Sequence, residues 1–458
     1  MAGGIFELPR VERAGAWSRQ TLRSLLAVRS ERDRADLPLL TVARERGVFV
    51  RSVDDANHNT IPEDLSNYKV AYAGDLVINK MKAWQGSLGL APVDGIVSPA
   101  YFVFNADFAV PRFGEYLLRS KPYVAKFAAA SDGVRIGQWD LNIPRMRNIE
   151  ALLPPPEEQA AIAKYLAHAN ARIDKAIAAK RRLISLLEEQ QRVIVHQTIY
   201  QRVDSEDAPV VPIKRVLESM VAGVWGASPE ESQETPIWCV RVADFDYGQN
   251  TIHSGSRTMR AVAEKDIERK LLRSGDLLLE GSGGGDKTSV GRVVMFEASE
   301  PAICSNFLQR LRTVNGVDSK YLSHVLRDLH ASGAVRSCIK QTTGIQNLDL
   351  NAYRAILIPL PNFESQVSLS YQIEESLIEN IAIVARINQE IQLLQEFRTR
   401  LVADVVTGQV DVRVIAATLP DVPTPVAGSA NATTELDDQC SVSKKRKQND
   451  LALSSRLC

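Results

Sequence analysis

Two long segments of the chain repeat apolar residues with the period of an α-helix. Apolar residues recur at spacings of three and four from Ile162 to Ile194 and again from Ile373 to Leu401. Each segment begins after a proline cluster and then runs for more than 40 residues without Pro or Gly. This heptad spacing predicts two amphipathic helices of about 65 Å each. The seam residues that carry the prediction are Ile162, Leu166, Ile173, Leu187, Ile373, Leu377, Ile387 and Leu394.

Two amphipathic helices of similar length in one chain can bury their apolar faces against each other. We therefore expect the helices to pair within the chain; the alternative is that one of them is a separate oligomerisation helix. Polar residues interrupt the seam and are expected to fix its register. They are Lys180, Gln190, Asn380 and Arg398.

The segment before each helix alternates short apolar strands with turn residues, which predicts an α+β globular unit. These units form an internal repeat, because several motifs return in the same order 198 to 209 residues later. The matched motifs are Pro38 with Pro236, Gly74-Asp75-Leu76 with Gly275-Asp276-Leu277, Tyr116-Leu117 with Tyr321-Leu322, Asp140-Leu141-Asn142 with Asp349-Leu350-Asn351, and Pro154 to Gln159 with Pro361 to Gln366.

The composition narrows the class of protein. With 458 residues, 45% of them hydrophobic and 24% charged, the chain is expected to fold as several globular domains. Lys and Arg together number 55, as do Asp and Glu, so the chain has no global positive field that would attract nucleic acid, and any such binding would depend on local patches or on partners. The five cysteines form no C-x-x-C pair, which indicates neither a disulfide framework nor a zinc site and fits a cytoplasmic protein. No uncharged apolar run reaches the roughly 18 residues of a membrane span, so we expect no membrane insertion or export.

Up to about residue 413 the chain resembles the specificity subunit of type I restriction-modification systems. The most specific parts are the helix start at Leu153 to Gln159, the segment from Phe397 to Arg413, and the two Gly-Asp-Leu strands. The second helix start departs from the family pattern, with Phe363-Glu364-Ser365-Gln366 in place of the usual Glu-Gln pair.

The resemblance implies two target-recognition domains separated by two long helices that form an antiparallel coiled coil. It implies residues 1–152 and 204–358 as the recognition domains and 153–203 and 359–413 as the spacer helices. The segment 414–458 lies outside the resemblance, and its composition, rich in Pro, Thr, Ala, Ser and charged residues, predicts a disordered tail. In that family the domains read a split, asymmetric site on double-stranded DNA. The coiled coil spaces the domains and docks the DNA methyltransferase subunits, two of them by our expectation, so the eight apolar seam residues named above are the predicted docking residues. Restriction and translocase subunits join through the complex.

One segment is similar to a phosphate-binding loop but lacks the glycine that precedes its lysine. Gly281 to Thr288 follows a strand, and the carboxylate of Asp286, directly before Lys287, would repel phosphate. Nucleotide hydrolysis is therefore disfavoured. A flexible turn and a loop that approaches DNA remain as alternatives, and the resemblance favours the second. The candidate DNA contacts are Ser282, Lys287, Thr288 and Arg292.

The cognate loop of the first repeat places two lysines and an aromatic residue directly after a strand. Lys80 and Lys82 are candidate phosphate contacts, and Gln85 is a candidate for reading a base edge. Trp84 is expected to be a core residue.

No catalytic signature is found in the sequence. A methyltransferase motif of Asn or Asp before Pro-Pro-aromatic, a glycine-rich cofactor fingerprint and histidine pairs with metal spacing are all missing. We therefore expect a non-catalytic subunit that needs no cofactor and no metal. A coiled-coil scaffold whose globular parts bind other proteins is the alternative function.

Overall fold

The computed structural model describes residues 17–51, 64–135, 138–206, 208–253, 255, 257–283, 289–342 and 345–421. The chain forms two compact units. The first unit comprises residues 1–177 and 392–458, and the second comprises residues 178–391. Two long helices, α5 (Pro156–Glu206) and α9 (Phe363–Val406), each contribute one part to each unit.

The other elements of the first unit are short. Its helices are α1 (Leu22–Leu25), α2 (Pro111–Arg119), α3 (Lys121–Ala129), α4 (Ile143–Arg147) and α10 (Arg413–Thr418), with a 3-10 helix at Ala83–Gln85. Its strands are β1 (Ser18–Thr21), β2 (Leu26–Arg29), β3 (Leu40–Ala43), β4 (Gly47–Val50), β5 (Lys69–Ala71), β6 (Leu76–Asn79), β7 (Leu88–Leu90), β8 (Gly95–Val97), β9 (Tyr101–Ala106), β10 (Ser131–Arg135), β11 (Gln138–Leu141) and β12 (Glu150–Leu153).

The second unit has a similar set of short helices and strands. Its helices are α6 (Glu264–Lys270), α7 (Ser319–Ala331) and α8 (Leu350–Ala355), with 3-10 helices at Ile213–Arg215, Val242–Asp244 and Ala334–Cys338. Its strands are β13 (Val210–Pro212), β14 (Leu217–Ala222), β15 (Thr235–Val240), β16 (Phe245–Asp246), β17 (Thr251–Ile252), β18 (Met259–Val262), β19 (Leu277–Glu280), β20 (Ser282–Gly283), β21 (Val293–Met295), β22 (Ala302–Cys304), β23 (Leu308–Thr313), β24 (Ile339–Thr342), β25 (Ile345–Leu348) and β26 (Leu357–Pro359).

The two units share one sheet topology. The first unit contains an antiparallel sheet of order β2-β9-β6-β7, and the second contains an antiparallel sheet of order β14-β23-β19-β21. In each unit a further antiparallel pair joins the start of the globular part to the strand before the long helix, β1 with β12 and β13 with β26. The structure thus confirms the predicted α+β fold class with two similar globular parts and two long helices.

Each Gly-Asp-Leu strand lies between two hydrophobic cores. In β19, Leu277 and Leu279 belong to a core shared with the long helices, whereas Leu278 belongs to a core on the other face of the sheet. In β6, Leu76 and Val77 divide in the same way. Both faces of these strands are covered by other residues, so the sequence of each strand is a continuous apolar run and not an alternation of apolar and polar residues.

Within each unit the two long helices run antiparallel. In the first unit Leu166 of α5 shares a core with Leu401 of α9, and Asp174 forms an ion pair with Arg398. In the second unit Ile199, late in α5, shares a core with Ile373, early in α9. Lys180 of α5 pairs there with Glu390 of α9, so the seam positions Lys180 and Arg398 are matched by carboxylates.

The predicted seam of α9 agrees with its buried face, but that of α5 changes phase. Ile173 and Ile177 are both buried, and the face continues at residues 180, 184, 187 and 191. Leu183, which the predicted spacing of three after Lys180 places in the seam, is 45% exposed. Residues 169, 173 and 177 are four residues apart, whereas a heptad alternates spacings of three and four. This irregularity, known as a stutter, shifts the buried face by one residue along the rest of the helix.

Backbone hydrogen bonds correct two of the sequence matches. Asn142 and Asp349 are the N-cap residues of α4 and α8, and their N–H groups donate to equivalent carbonyls of Ala130 and Cys338. The structure therefore aligns Asn142 with Asp349, two positions away from the match made on Asp-Leu-Asn. The N-caps of α2 and α7, Val110 and Asp318, likewise differ by one helical turn from the match made on Tyr-Leu.

The structure also corrects the start of the expected disordered tail at residue 414. After Gly408, whose φ of 75° ends α9, the chain forms α10, and Ala416 is buried in the core of the first unit. A Cβ atom at Gly408 would lie 2.9 Å from the Trp17 ring. This close approach, together with the positive φ, explains why glycine occupies the position. Residues 422–458, which include the basic run from Lys444, lie outside the described residues.

Candidate nucleic-acid interface

Each candidate loop follows a strand, β6 or β19, and each of these strands begins at a turn that a buried aspartate stabilises. Gly74 and Gly275 adopt φ values of 88° and 91°, which favour glycine. The side chain of Asp75 accepts a hydrogen bond from the N–H of Tyr72 at 2.9 Å, and Asp276 accepts one from the N–H of Arg273 at 2.7 Å. The Gly-Asp pair therefore builds the turn and does not face a ligand.

Each of these aspartates also forms a buried ion pair with an arginine. Asp75 Oδ2 lies 2.6 Å from Arg29 Nε, and Asp276 Oδ2 lies 2.7 Å from Arg312 Nη2. A buried carboxylate needs such a partner, because removal of one member leaves an uncompensated charge. The pairs fix β6 and β19, and with them the loops that follow.

In the first unit the loop after β6 folds onto a hairpin. The carbonyl of Lys80 accepts a hydrogen bond from the N–H of Leu141, which ends the β10–β11 hairpin. Lys80 Nζ lies 2.6 Å from Asp140 Oδ2, and the Trp84 ring stacks on Trp139 with centroids 5.5 Å apart. The loop and the hairpin thus form one platform. Trp84 is half-buried against Trp139 and belongs to no hydrophobic core of the described residues, so the prediction of a core residue was wrong.

The three candidate residues of this loop differ in their surroundings. Lys80 is half-buried and paired with a carboxylate, Lys82 is exposed, and Gln85 is half-buried in the 3-10 helix. Gly86, with φ of 84°, ends this turn. Lys82 is therefore the candidate whose ammonium group is best placed for a phosphate, and the roles of all three stay predictions.

The second unit repeats this platform with different side chains. The carbonyl of Gly281 accepts a hydrogen bond from the N–H of Leu348, in the place that Lys80 and Leu141 occupy in the first unit. The hairpin is β24–β25, and β20 adds a third strand to it. Ser282 Oγ donates to Asn347 Oδ1 at 2.7 Å. Lys287 and Thr288 lie outside the described residues.

The glycine-rich segment does not lead into a helix in the described residues on either side of 284–288. It leaves strand β20 and reaches Ser289, after which the chain enters strand β21. A phosphate-binding loop relies on the N-terminus of a following helix. The strands on both sides of residues 284–288 argue against the nucleotide-hydrolysis alternative.

Arg292 lies in a buried ion pair rather than at an open surface. Its Nε and Nη2 atoms contact the two carboxylate oxygens of Glu280 at 2.8 and 3.2 Å, and its guanidinium lies 4.0 Å from the centre of the Tyr247 ring. Glu280 is only 1% exposed. A DNA contact by Arg292 would have to compete with this pair, so the geometry favours a positioning role at the exit of the loop.

Sequence reasoning missed the two hairpins as part of the candidate interface. Their strands are short and polar, and the polar exposed residues Asp132, Lys340 and Asn347 give no apolar pattern. The available signal was weak: a few alternating residues around Gly-x-x-x-Gly at 133–137 and around Thr-Thr-Gly at 342–344, typical of hairpin turns.

The predicted docking residues lie mainly inside the helix pair. Of the eight, Leu187 and Leu394 are half-buried and the other six are buried. Their side chains therefore hold the pair together, and a partner protein would contact the outward faces. In the second unit those faces carry exposed apolar residues, which include Leu186, Val193, Tyr371 and Ile378.

Burial shifts the pKa of several titratable groups in the described residues. No cluster of three or more His, Cys, Asp or Glu residues that could hold a metal ion is found there. Burial raises the pKa of the Cys239 thiol to about 11 and that of Cys304 to about 12, which disfavours a reactive thiolate. Burial lowers the pKa of His324 to about 3, so this side chain is neutral at pH 7.

None of the described helices combines the length and apolar character that a membrane span requires.

The fold is similar to that of a solved chain from a type I R-M system, studied for its complex assembly and conformational transition. That likeness covers 89% of this chain and 100% of the other, with a TM-score of 0.54 and 16% sequence identity. The HsdS subunit from Thermoanaerobacter tengcongensis matches over 90% of this chain and 100% of its own, with a TM-score of 0.40 and 17% identity. The type I S subunit from M. genitalium matches over 87% and 99%, with a TM-score of 0.33 and 14% identity. No family model matches the sequence.

Proposed function

We propose that this chain is the DNA-specificity subunit of a type I restriction-modification system. The observation that carries the proposal is the repeated platform of loop and hairpin, held in the same way in both units but bearing different polar side chains. Two similar platforms that expose different hydrogen-bonding side chains can recognise two different short DNA sequences. The similarity of the fold to a type I R-M chain supports this function.

In this proposal each globular part reads one half of a bipartite, asymmetric target on double-stranded DNA. The recognition modules are residues of about 18–152 and 210–358. Phosphate contacts, with Lys82 as the foremost candidate, set the position of the backbone, and side chains on the hairpins read base edges. The antiparallel helices act as the spacer between the readers.

The proposed partners are two DNA methyltransferase subunits docked on the helix pair, and through them the restriction and translocase subunits. The exposed apolar residues on the outward faces of α5 and α9 supply contact area for such docking. The chain itself carries out no reaction in this proposal. It delivers the catalytic subunits to the target.

The test is to select preferred sequences from a random duplex library with the full chain assembled with type I methyltransferase subunits. We expect two conserved blocks of different sequence, separated by a gap of fixed length. Matched libraries with one block scrambled should be bound at least tenfold more weakly, since each mismatched base pair costs about 1–3 kcal/mol. Selection of no sequence, by a complex that assembles, would contradict the proposal and favour the scaffold alternative.

A further inference from the structure

The three-stranded sheet formed by β20, β24 and β25 carries a row of hydrogen-bonding side chains across one face. Lys340 lies opposite Asn347, and Asn347 lies opposite Ser282. Residues directly opposite in neighbouring strands point to the same side of a sheet. Lys340 and Asn347 are exposed, whereas Gln346 and Leu348 on the other face of β25 are buried. This row, Lys340-Asn347-Ser282, therefore faces solvent.

Neighbouring groups hold the row in place. Ser282 Oγ donates to Asn347 Oδ1 at 2.7 Å, and Lys340 Nζ lies 2.7 Å from Asp349 Oδ2. The hydrogen bond from Lys340 lowers the pKa of Asp349, so the carboxylate is charged at neutral pH. Asn347 is thus presented in a fixed orientation, which reduces the side-chain entropy lost when a ligand binds.

The first unit has carboxylates at the equivalent positions. The alignment of Leu141 with Leu348 places Asp140 where the second unit has Asn347, and Asp132 where it has Lys340. Lys80 and Arg145 neutralise these carboxylates at 2.6 Å each. The two platforms therefore offer different patterns of hydrogen-bond donors and acceptors at one structural position.

We propose that Asn347, held by Ser282, reads an adenine in the half-site that the second unit recognises. An asparagine amide matches the major-groove edge of adenine, since its oxygen accepts from N6 and its nitrogen donates to N7. The Ser282 hydroxyl occupies one of the two acceptor positions of Oδ1 and leaves the other for the base. The inference rests on the proposed function, because it assumes that this face of the second unit enters a groove of DNA.

The test substitutes Asn347→Asp in the full chain, assembled with methyltransferase subunits, and repeats the sequence selection. The change keeps the shape of the side chain and replaces the amide donor with an acceptor, which suits the N4 amino group of cytosine. We expect one position of one half-site to change from adenine to cytosine. Binding of the original site should weaken by about 10- to 100-fold. Asn351→Asp, the same chemical change at an exposed position of α8, serves as the matched control and should leave both half-sites unaltered.

A second variant distinguishes a change in base recognition from a loss of folding. Ser282→Ala removes the hydroxyl that orients Asn347 but keeps the amide, so we expect the same adenine with discrimination reduced by several-fold. If the wild-type complex selects two half-sites and Asn347→Asp selects the same bases at every position, the inference is overturned and the proposed function stands. A wild-type complex that assembles but selects no sequence overturns both.

Discussion

Gln159 ties the start of α5 to the start of α2 through the backbone N–H of Val110. The amide oxygen of Gln159 accepts from this N–H at 3.2 Å, and its nitrogen donates to the carbonyl of Pro154 at 2.9 Å. In the second unit Gln366 makes the same two contacts, with the N–H of Asp318 at 2.9 Å and the carbonyl of Pro361 at 2.8 Å. In both units a buried glutamine therefore fixes the angle between a long helix and the globular part.

Replacement of either glutamine by alanine should destabilise the protein. Gln159→Ala leaves the N–H of Val110 and the carbonyl of Pro154 without these partners in a buried place, at a cost of about 1–3 kcal/mol in the free energy of unfolding. Gln366→Ala should cost a similar amount. Urea denaturation followed by circular dichroism measures the change. The matched control is Gln389→Ala, at an exposed position of α9, and equal stability of the Gln159 variant and this control would contradict the role.

A second prediction concerns acid and follows from burial of His324. Burial lowers the pKa of His324 to about 3 in the folded state, against about 6.5 for an unperturbed histidine. Below pH 6.5 the unfolded chain binds a proton that the folded chain does not, so stability falls as the pH falls from 6.5 towards 3. Between pH 7 and pH 5 this group alone should cost about 2 kcal/mol. Burial also lowers the pKa of His330, so this group adds to the loss of stability as the pH falls.

The measurement is the free energy of unfolding at pH 7 and pH 5 for the wild type, His324→Gln and His253→Gln. The first variant should lose less stability between the two pH values than the wild type does. The second, at an exposed position, should behave as the wild type. An unchanged pH dependence in His324→Gln would mean that another group controls acid sensitivity.

A third prediction is that the isolated chain binds DNA weakly. Affinity for a duplex comes largely from neutralisation of phosphates, and this chain has 55 basic and 55 acidic residues. At the candidate interface Lys80 and Lys340 already face carboxylates. We expect the assembled complex to bind its target at least tenfold more tightly than the chain alone, as measured by fluorescence anisotropy at 0.15 M salt. Equal affinity and selectivity of the two would be the contrary result.

The long helices could be predicted from the sequence because they rest on local periodicity, and the repeat could be predicted because short motifs recur in the same order. Spacing of apolar residues locates a helix, and recurring turn motifs such as Gly74-Asp75 and Gly275-Asp276 locate equivalent strands. The exact partners could not be predicted. Sequence matching aligned Asp140 with Asp349, whereas the backbone hydrogen bonds align Asp140 with Asn347. The same three letters, Asp-Leu-Asn, occur at positions with different structural roles in the two units.

The candidate site was predicted less completely than the fold, since its side chains depend on contacts between distant segments. Lys80 and Asp140, which are 60 residues apart, meet only when the hairpin packs on the loop. Arg292 resembled a free cation in the sequence, but the structure places it 2.8 Å from the carboxylate of Glu280, which is buried. Such pairings carry no periodic signal, so the hairpins and the role of Arg292 required the structure.

A fourth prediction is that exchange of one recognition module changes one half of the target. Residues 18–152 or 210–358 would be replaced by the corresponding module of a related chain, with the long helices left intact. Each module has at least one core of its own, but another core includes residues of the long helices, so the replacement module should come from a chain with matching helix-facing residues. Sequence selection should then return one new half-site and one original half-site. Alteration of both halves in a folded, assembled complex would contradict independent reading.

The last prediction tests the helix pair as the spacer. One heptad would be inserted into α5 next to Lys180 and one into α9 next to Glu390, at positions that face each other in the second unit. Each helix gains about 10 Å, and because DNA rises about 3.4 Å per base pair, the gap in the selected target should grow by about three base pairs. The added length also rotates one half-site by roughly a quarter turn or more, so binding should weaken unless the DNA twists to compensate.

Insertion of the heptad into α5 alone provides the control, because it breaks the pairing of Lys180 with Glu390 and should impair assembly instead of lengthening the gap. Selection from random duplexes measures the gap, and size-exclusion chromatography with the methyltransferase subunits measures assembly. If the doubly extended chain assembles and selects the original gap, the helices serve only for docking, and the distance between half-sites is set by another part of the complex.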